Sequence, residues 1–154
     1  MGKIDDVLQS DPLEMLRNAY RNEDVIKVLS SGIPSLDDRT AGYIDEIRRA
    51  FYAGTAMQPS ERERCLIAVL ASRDAGLNLA IHIYIGLMEG LSPAEIADII
   101  FLSGIYTGVD RISDGLAAEM KTLKALAQIA TPPWSCTVEQ VMQTLHDAFT
   151  SPSR

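Results

Sequence analysis

Apolar residues recur at intervals of three and four along most of the chain, the spacing that places them on one face of an α-helix. Start and stop signals divide this pattern into separate helices. The first is predicted from an N-cap at Asp11, followed by proline, to a stop at Gly32. The second is predicted from a cap at Ser35 or Asp37 to Gly54.

Two later helices are predicted to begin with capping boxes, in which the N-cap side chain and the side chain three residues on each bond the other's backbone N–H. Ser60 and Glu63 form one such pattern, at the start of PSERERCLIAVLAS. Ser92 and Glu95 form the other, with a proline at the first helical position, and that helix is predicted to run to Gly108.

Between these two helices lies IHIYI, whose alternation and composition are typical of a β-strand. However, the apolar run that contains it extends from Leu77 to Met88 and ends at Gly90. This length favours a helix that is apolar on most of its circumference. We therefore predict a buried helix here, with His82 near its middle.

Two further helices complete the chain. DRISDGLAAEMKTLKALAQIA is predicted to end at the two prolines of TPPW, and a last amphipathic helix covers residues 137–149. The sequence thus predicts one all-α domain over residues 1–154, with its N-terminal helices within residues 11–54.

Composition and charge disfavour several classes of protein. The 21 acidic residues outnumber the 14 basic ones, for a net charge of −7, which opposes nucleic-acid binding because such proteins neutralise phosphates. No apolar run reaches the ~18 residues that a membrane span requires, and the acidic N-terminus lacks the apolar core of a secretory signal. We therefore expect a cytoplasmic protein. Cys65 and Cys136 have no metal-binding or redox spacing and are predicted to be buried thiols.

His82 shares a helix face with small and polar residues in an otherwise apolar segment. Such a stripe can line a cavity, because small residues leave space while the amide and imidazole supply polar groups. Equally, Gly86 can serve close helix packing and His82 can be a core histidine with satisfied hydrogen bonds. The stripe consists of Ala75, Asn78, His82, Gly86 and Glu89, and the opposite face, predicted to be core, carries Leu77, Ile81, Tyr84 and Met88.

Residues from Pro59 to about Leu123 resemble the carboxymuconolactone decarboxylase family, which also contains alkylhydroperoxidase D. The matching positions, in order, are Glu63, His82, Gly90, Glu95–Ile96 and the IYTG of residues 105–108. The resemblance implies an all-helical bundle of about six to eight helices of the alkylhydroperoxidase D type, with a family-like core at about residues 59–125. It also implies homo-oligomers, commonly trimers or hexamers.

The two enzyme types of this family differ in their cysteines. The peroxidase branch carries a Cys-x-x-Cys pair before the histidine, at positions that hold Ala75 and Asn78 here, so a thiol peroxidase is not expected. The sequence is similar to the decarboxylase branch, which needs neither cysteine nor cofactor. This resemblance implies a cofactor-independent lyase, without a metal, that acts on a small carboxylated or lactone substrate.

The resemblance assigns candidate catalytic roles to His82 and Glu63. His82 would deliver a proton to the carbanion left by loss of carbon dioxide, and Glu63, 19 residues earlier, would orient or recharge the imidazole. The capping box would explain Glu63 without any catalytic role. Two antiparallel helices joined at Gly76 would offset the two residues by roughly 9 Å, so we expect proximity rather than a direct hydrogen bond.

Candidate substrate-binding residues are Asn78 and Gly86 on the stripe, and Tyr106 and Arg111 near the end of the matching region. Tyr106 could donate a hydrogen bond to an oxyanion, although an aromatic residue in an apolar helix is usually core. A guanidinium suits a substrate carboxylate, and Asp110 stands before Arg111 where the family often has proline. The candidate arginines are Arg39, Arg48, Arg49, Arg62 and Arg111.

An alternative function is a non-catalytic oligomeric binding or assembly protein with the same fold. The helix AEIADIIFLSGIY carries large apolar residues around its circumference, which predicts contact with another subunit because a small domain has limited interior. The expected partners are a small-molecule substrate and further copies of the chain, with no nucleic acid and no membrane.

Overall fold

The computed structural model describes residues 7–8, 10–25, 27–28, 38–53, 56–73, 76–131 and 136–150 of the chain. Within these residues the regular structure is helical throughout, which confirms the predicted all-α class. The helices are α1 (Ser10–Asn22), α2 (Asp38–Ala53), α3 (Pro59–Ser72), α4 (Gly76–Met88), α5 (Pro93–Thr107), α6 (Val109–Ile129) and α7 (Val138–Thr150).

Helix α4 lies at the centre of the bundle, where it packs against α1, α3, α6 and α7. Most of its side chains from Leu79 to Met88 are buried, so a helix apolar on nearly all sides is what this position requires. The prediction of a helix rather than a strand at IHIYI is therefore confirmed. Fully buried side chains from the other helices include Leu16, Ile67, Ile100, Leu126 and Leu145.

The C-terminal end of α4 is set by Gly90, which has a φ of +97°. Leu91 N–H donates to Gly86 O at 2.9 Å, and Gly90 N–H donates to Leu87 O at 3.2 Å. These two bonds form a Schellman motif, which satisfies the last carbonyl groups of the helix and favours glycine at the left-handed position. The predicted stop at Gly90 is thus confirmed.

The capping box predicted at the start of α5 is present. Glu95 N–H donates to Ser92 Oγ at 3.2 Å, and Ser92 N–H donates to Glu95 Oε2 at 2.9 Å. The helix ends at Thr107, and Gly108, with a φ of +123°, joins it directly to α6. The sequence therefore predicted both ends of α5 correctly.

The prediction of one helix from an N-cap at Asp11 to Gly32 is wrong at both ends, because α1 begins at Ser10 and ends at Asn22. Asp24 interrupts it: its Oδ1 accepts a hydrogen bond from Lys27 N–H at 3.2 Å. An aspartate that bonds a nearby backbone N–H in this way acts as an N-cap and competes with continuation of the preceding helix. Gly32 lies outside the described residues.

The capping box predicted at Ser60 and Glu63 is also wrong. Helix α3 begins two residues earlier than predicted, at Pro59, with Gln58 rather than Ser60 as its N-cap. The carboxylate that returns to the N-cap is Glu61, whose Oε2 accepts from Gln58 N–H at 2.9 Å. Glu63 therefore has no capping role.

The prediction that both cysteines are buried is wrong for Cys65, which is exposed, while Cys136 is half-buried. Cys65 lies on the outer face of α3 in line with Glu61 and Val69, at spacings of four residues, and both of these neighbours are exposed. The burial of a small apolar side chain on a helix depends on which face the rest of the fold covers, and this face of α3 is left open.

Several predicted boundaries fall outside the described residues, namely the caps at Ser35 or Asp37, the stop at Gly54 and the prolines of TPPW. The last helix has nearly its predicted bounds, Val138–Thr150. None of the helices in the described parts of the chain combines the length and the apolar character needed to cross a bilayer.

Candidate active site

Helices α3 and α4 meet through one face of each. Glu63 and Ile67 are one turn apart on α3, and His82 and Gly86 are one turn apart on α4. A Cβ atom at Gly86 would lie 3.1 Å from both Ile67 Cδ1 and Leu91 Cδ1, so these side chains fill the space that glycine leaves. The missing side chain thus allows α3 and α4 to approach closely next to His82.

Glu63 and His82 form a direct hydrogen bond. His82 Nδ1 lies 2.8 Å from Glu63 Oε2, the Glu63 side chain is completely buried, and the His82 side chain is 22% exposed. An ionised carboxylate only accepts hydrogen bonds, so the hydrogen on Nδ1 is the one that faces Glu63. The other ring nitrogen, Nε2, is not sealed from solvent and makes no hydrogen bond within the described residues.

The expectation of proximity without direct contact is therefore wrong. Helix α3 ends at Ser72, nine residues after Glu63, and α4 begins at Gly76, six residues before His82. The residues between the helices belong to the connection and do not contribute to the offset. At ~1.5 Å per residue the offset falls to about 4–5 Å, which two long side chains span.

A buried guanidinium lies against the other oxygen of Glu63. Arg62 Nε is 3.6 Å from Glu63 Oε1, and the side chains of both residues are almost fully removed from solvent. Residues adjacent in a helix do not ordinarily face each other, so sequence spacing alone would not predict this contact. It compensates the charge of a carboxylate that has lost its hydration.

This arrangement is suited to proton transfer at one atom. Glu63 fixes the orientation and tautomer of the ring through Nδ1, and Nε2 is left to take up or release a proton. When Nε2 is protonated, the imidazolium lies beside an ionised carboxylate, which stabilises its charge. The pair can therefore act as a general base in one form and as a general acid in the other.

The four predicted substrate-binding residues differ in their exposure to solvent. Asn78 is exposed one turn before His82 on α4, and Gly86 is buried against Ile67 and Leu91. Tyr106, near the end of α5, is 91% exposed, so the alternative of a core role for this aromatic residue does not hold. Arg111 is half-buried in the first turns of α6.

The rest of the small–polar stripe has a structural setting of its own. Glu89 Oε1 accepts a hydrogen bond from Tyr20 of α1 at 3.1 Å, so this end of the stripe joins α1 to α4. Ala75 lies outside the described residues. On the opposite face of α4, Tyr84 and Met88 are core, as predicted, and burial raises the pKa of the Tyr84 phenol.

Of the candidate arginines, Arg62 is the one that contacts the pair of Glu63 and His82. The position of Arg62 next to Glu63 in the sequence did not predict this contact. Arg49 instead pairs with Asp24 and Asp45 at 3.1 Å, and Arg39 lies over the ring of Tyr43. These two arginines are exposed.

Sequence reasoning missed Glu119, a completely buried carboxylate on α6. Its signal was present: the buried residues Gly115, Thr122, Leu123 and Leu126 recur around it at helical spacing on α6, so Glu119 falls on the face that packs inward. A charged residue at such a position is rarely placed there by chance, because burial of a carboxylate is costly. Helix α6 packs against both α3 and α4.

A separate groove of about 740 Å³ lies between α1 and the start of α7. Asn18 and Asn22 from α1 contribute to its lining, as do Cys136 and Thr137 before α7. Burial raises the pKa of the Cys136 thiol, which keeps it protonated and weakly nucleophilic at neutral pH. Within the described residues, no three histidine, cysteine, aspartate or glutamate side chains come together as they would around a metal ion.

A helical bundle that holds a partly exposed imidazole against a buried carboxylate defines the class: an all-α protein with a carboxylate–imidazole pair where two of its helices meet. The model of the Carboxymuconolactone decarboxylase family matches residues 39–119, more than half of the chain, and the chain belongs to this family. The matched range includes Glu63 and His82 and extends into α2. No curated protein and no solved structure matches the chain.

Proposed function

We propose that the protein is a cofactor-independent lyase that decarboxylates a small carboxylated or lactone substrate by acid–base catalysis. The observation that carries the proposal is the 2.8 Å contact between His82 Nδ1 and the buried Glu63, which leaves Nε2 accessible for chemistry. Membership of the carboxymuconolactone decarboxylase family supports the same reaction class.

In this reaction the C–C bond to the substrate carboxylate breaks and carbon dioxide leaves. The electron pair of that bond moves into an adjacent unsaturated carbonyl group, which makes an enolate-like anion. His82, in its imidazolium form, then transfers the proton on Nε2 to carbon, and the neutral ring regains a proton from solvent. Because the carbonyl of the substrate accepts the electrons, no cofactor is required.

Glu63 acts through His82 in this scheme and is a positioning residue. Its carboxylate holds the ring by Nδ1, so that Nε2 keeps one direction through both protonation states. It also stabilises the imidazolium, the form that donates the proton. A thiol mechanism has no equivalent support, because Cys65 is exposed on the outer face of α3 and the positions of the family's cysteine pair hold Ala75 and Asn78.

The test is turnover of a panel of lactone acids, including 4-carboxymuconolactone, by the purified protein and by His82→Ala. General acid–base groups contribute typically 10²–10⁴-fold, so we expect kcat/KM to fall at least ~100-fold. His146→Ala is the matched control, since His146 is the other histidine and is exposed on α7, and it should keep full activity. Unchanged turnover in His82→Ala, or no turnover of any lactone acid by the native protein, would contradict the proposal.

We also propose that copies of the chain assemble with one another. Such assembly is compatible with the lyase and with the alternative, a non-catalytic assembly protein of the same fold. The supporting observation is a group of exposed large apolar side chains at the end of α5 and the start of α6, here called the α5–α6 surface. It consists of Phe101, Leu102, Ile105, Tyr106 and Val109. Apolar side chains concentrated at one end of two successive helices are typical of a surface that another subunit covers.

A further inference from the structure

We propose that Arg62 is a positioning residue for His82: it keeps the Glu63 carboxylate ionised and turned, so that Oε2 meets Nδ1 and Nε2 points outward. This proposal rests on the proposed function for its catalytic meaning. Its physical content, the state of the His82 ring, is measurable without a substrate.

The two oxygens of Glu63 have different neighbours. Oε2 is 2.8 Å from His82 Nδ1, whereas Oε1 faces Arg62 Nε at 3.6 Å and has no hydrogen bond within the described residues. A completely buried carboxylate with this little hydrogen bonding stays ionised only if a nearby cation compensates its charge. Arg62 is that cation, since its guanidinium stays charged at every relevant pH.

The charge of Arg62 also decides which form of the ring is favoured. With Arg62 in place, the buried group of Arg62, Glu63 and a neutral His82 carries no net charge. Without it, a neutral ring would leave one uncompensated anion in the interior, so the protonated ring becomes the more favourable partner for Glu63. Arg62 therefore favours the neutral form of the ring, which the catalytic cycle has to pass through once the proton has been transferred.

Ionisable groups also lie on the helices that pack against α3 and α4. On α6, the side chain of Glu119 is completely buried. Arg64 of α3 pairs with Glu95 of α5 at 2.7 Å on the surface. From α1, Arg17 Nε donates to Leu87 O at the far end of α4.

Three further ionisable groups lie at the end of α4 and on α7. Glu89 is held by Tyr20 of α1, and on α7 His146 and Asp147 are exposed. Arg62 is thus the cation that contacts Glu63, and Arg64, two residues further along α3 and committed to Glu95, is a matched control.

The test is ¹⁵N NMR of the His82 ring across a pH titration, in the native protein, Arg62→Gln, Arg62→Met, Arg62→Lys and Arg64→Gln. In the native protein and in Arg64→Gln, we expect the neutral ring to carry its hydrogen on Nδ1. In the two neutral variants at position 62, we expect the titration midpoint of the ring to move up by about one pH unit, a tenfold change in proton affinity. Arg62→Lys, which keeps the charge, should restore at least half of this shift.

Two outcomes would overturn the proposal: a midpoint in folded Arg62→Gln or Arg62→Met that matches the native protein, or an equal shift in Arg64→Gln. Arg62→Met keeps an apolar side chain of similar length, and it provides the same measurement if Arg62→Gln does not fold. Turnover of lactone acids by the same variants separates this proposal from the proposed function. If the His82 midpoint shifts in the variants at position 62 but the native protein turns over no lactone acid, the role of Arg62 is supported and the lyase is contradicted. If the native protein is active but the midpoint is unchanged in these variants, the lyase is supported and the role of Arg62 is contradicted.

Discussion

At the scale of single residues, the carboxylates of α3 and α5 show how similar sequence patterns lead to different roles. Ser60 and Glu63 match the capping-box pattern as well as Ser92 and Glu95 do. Only the second pair forms a box, because Pro59 starts α3 early and leaves Glu61 at the position from which it reaches the N-cap. Glu63 is thereby directed into the interior, where it meets His82.

The carboxyl group of Glu95, which completes the capping box of α5, has a pKa well below its ordinary value. Hydrogen bonds from the Ser92 backbone, from Arg64 and from the Ser92 hydroxyl lower the pKa of Glu95 from 4.5 to about 2. The unfolded chain therefore binds a proton at this carboxyl more readily than the folded chain does. Its contribution to stability is fully present above pH 4.5 and is lost as the pH falls through about 2.

We predict that Glu95→Gln flattens the decline of the free energy of unfolding between about pH 4.5 and pH 2. The measurement is urea unfolding at a series of pH values, with Glu46→Gln as the control, because Glu46 is an exposed carboxylate on α2. The native protein should lose stability over this range more steeply than Glu95→Gln. If the native protein and Glu95→Gln lose stability in parallel as the pH falls, the hydrogen bonds to Glu95 do not lower its pKa.

At the scale of elements, close contact between successive helices depends on glycine at positions where any side chain would collide. Gly104 on α5 is buried against Ile112 of α6, and a Cβ there would overlap the Ile112 side chain and lie 3.2 Å from its backbone nitrogen. Gly108 forms the whole connection between the two helices, so α6 cannot move away without disturbing α5. Gly42 on α2 offers the opposite case, with no heavy atom within 4 Å of its added Cβ.

We predict that Gly104→Ala destabilises the protein by about 1–3 kcal/mol, the usual cost of overpacking against atoms that cannot move away. Gly42→Ala is the matched control and should stabilise by about 0.5–1 kcal/mol, because alanine restricts the unfolded chain and favours the helix. Urea or thermal unfolding measures both changes. Equal effects of the two substitutions would argue against the tight junction of α5 and α6.

At the scale of the whole molecule, the large apolar residues include a core around α4 and the α5–α6 surface, which the described residues leave exposed. Ile96 and Ile100 of α5 are completely buried, whereas Leu102 and Ile105 of the same helix are more than half exposed. One helix thus contributes to the interior on one side and presents large aliphatic groups to its surroundings on the other. This division is the basis of the proposed assembly.

We predict a solution mass by light scattering that is a multiple of the 16.8 kDa chain. Ile105→Asp places a charge on the α5–α6 surface and should shift the protein towards the monomer, because burial of an unpaired carboxylate in an interface is costly. Gln128→Asp adds the same charge at an exposed position on α6 and should leave the mass unchanged. A native protein at the mass of one chain would contradict the proposed assembly.

The resemblance to a known family, rather than a local pattern, named Glu63 and His82 as candidates for the site. The sequence by itself determined the helical class and several helix ends. These features are local, since a glycine stop, a capping box or an apolar face depends on residues within a few positions of each other. The sequence could not determine that α1 stops just before Asp24. The hydrogen bond from Lys27 N–H to Asp24 and a continued helix both depend on residues three or four apart, so the local pattern fits either one.

Only the tertiary structure decided that Glu63 bonds His82 directly, that Arg62 is buried against Glu63, and that Cys65 and Tyr106 face outward. The physical reason is the same in each case. Contact and burial depend on how two helices cross, how long their connection is and which faces their neighbours cover. A periodic pattern along one helix describes its own faces and carries none of that information.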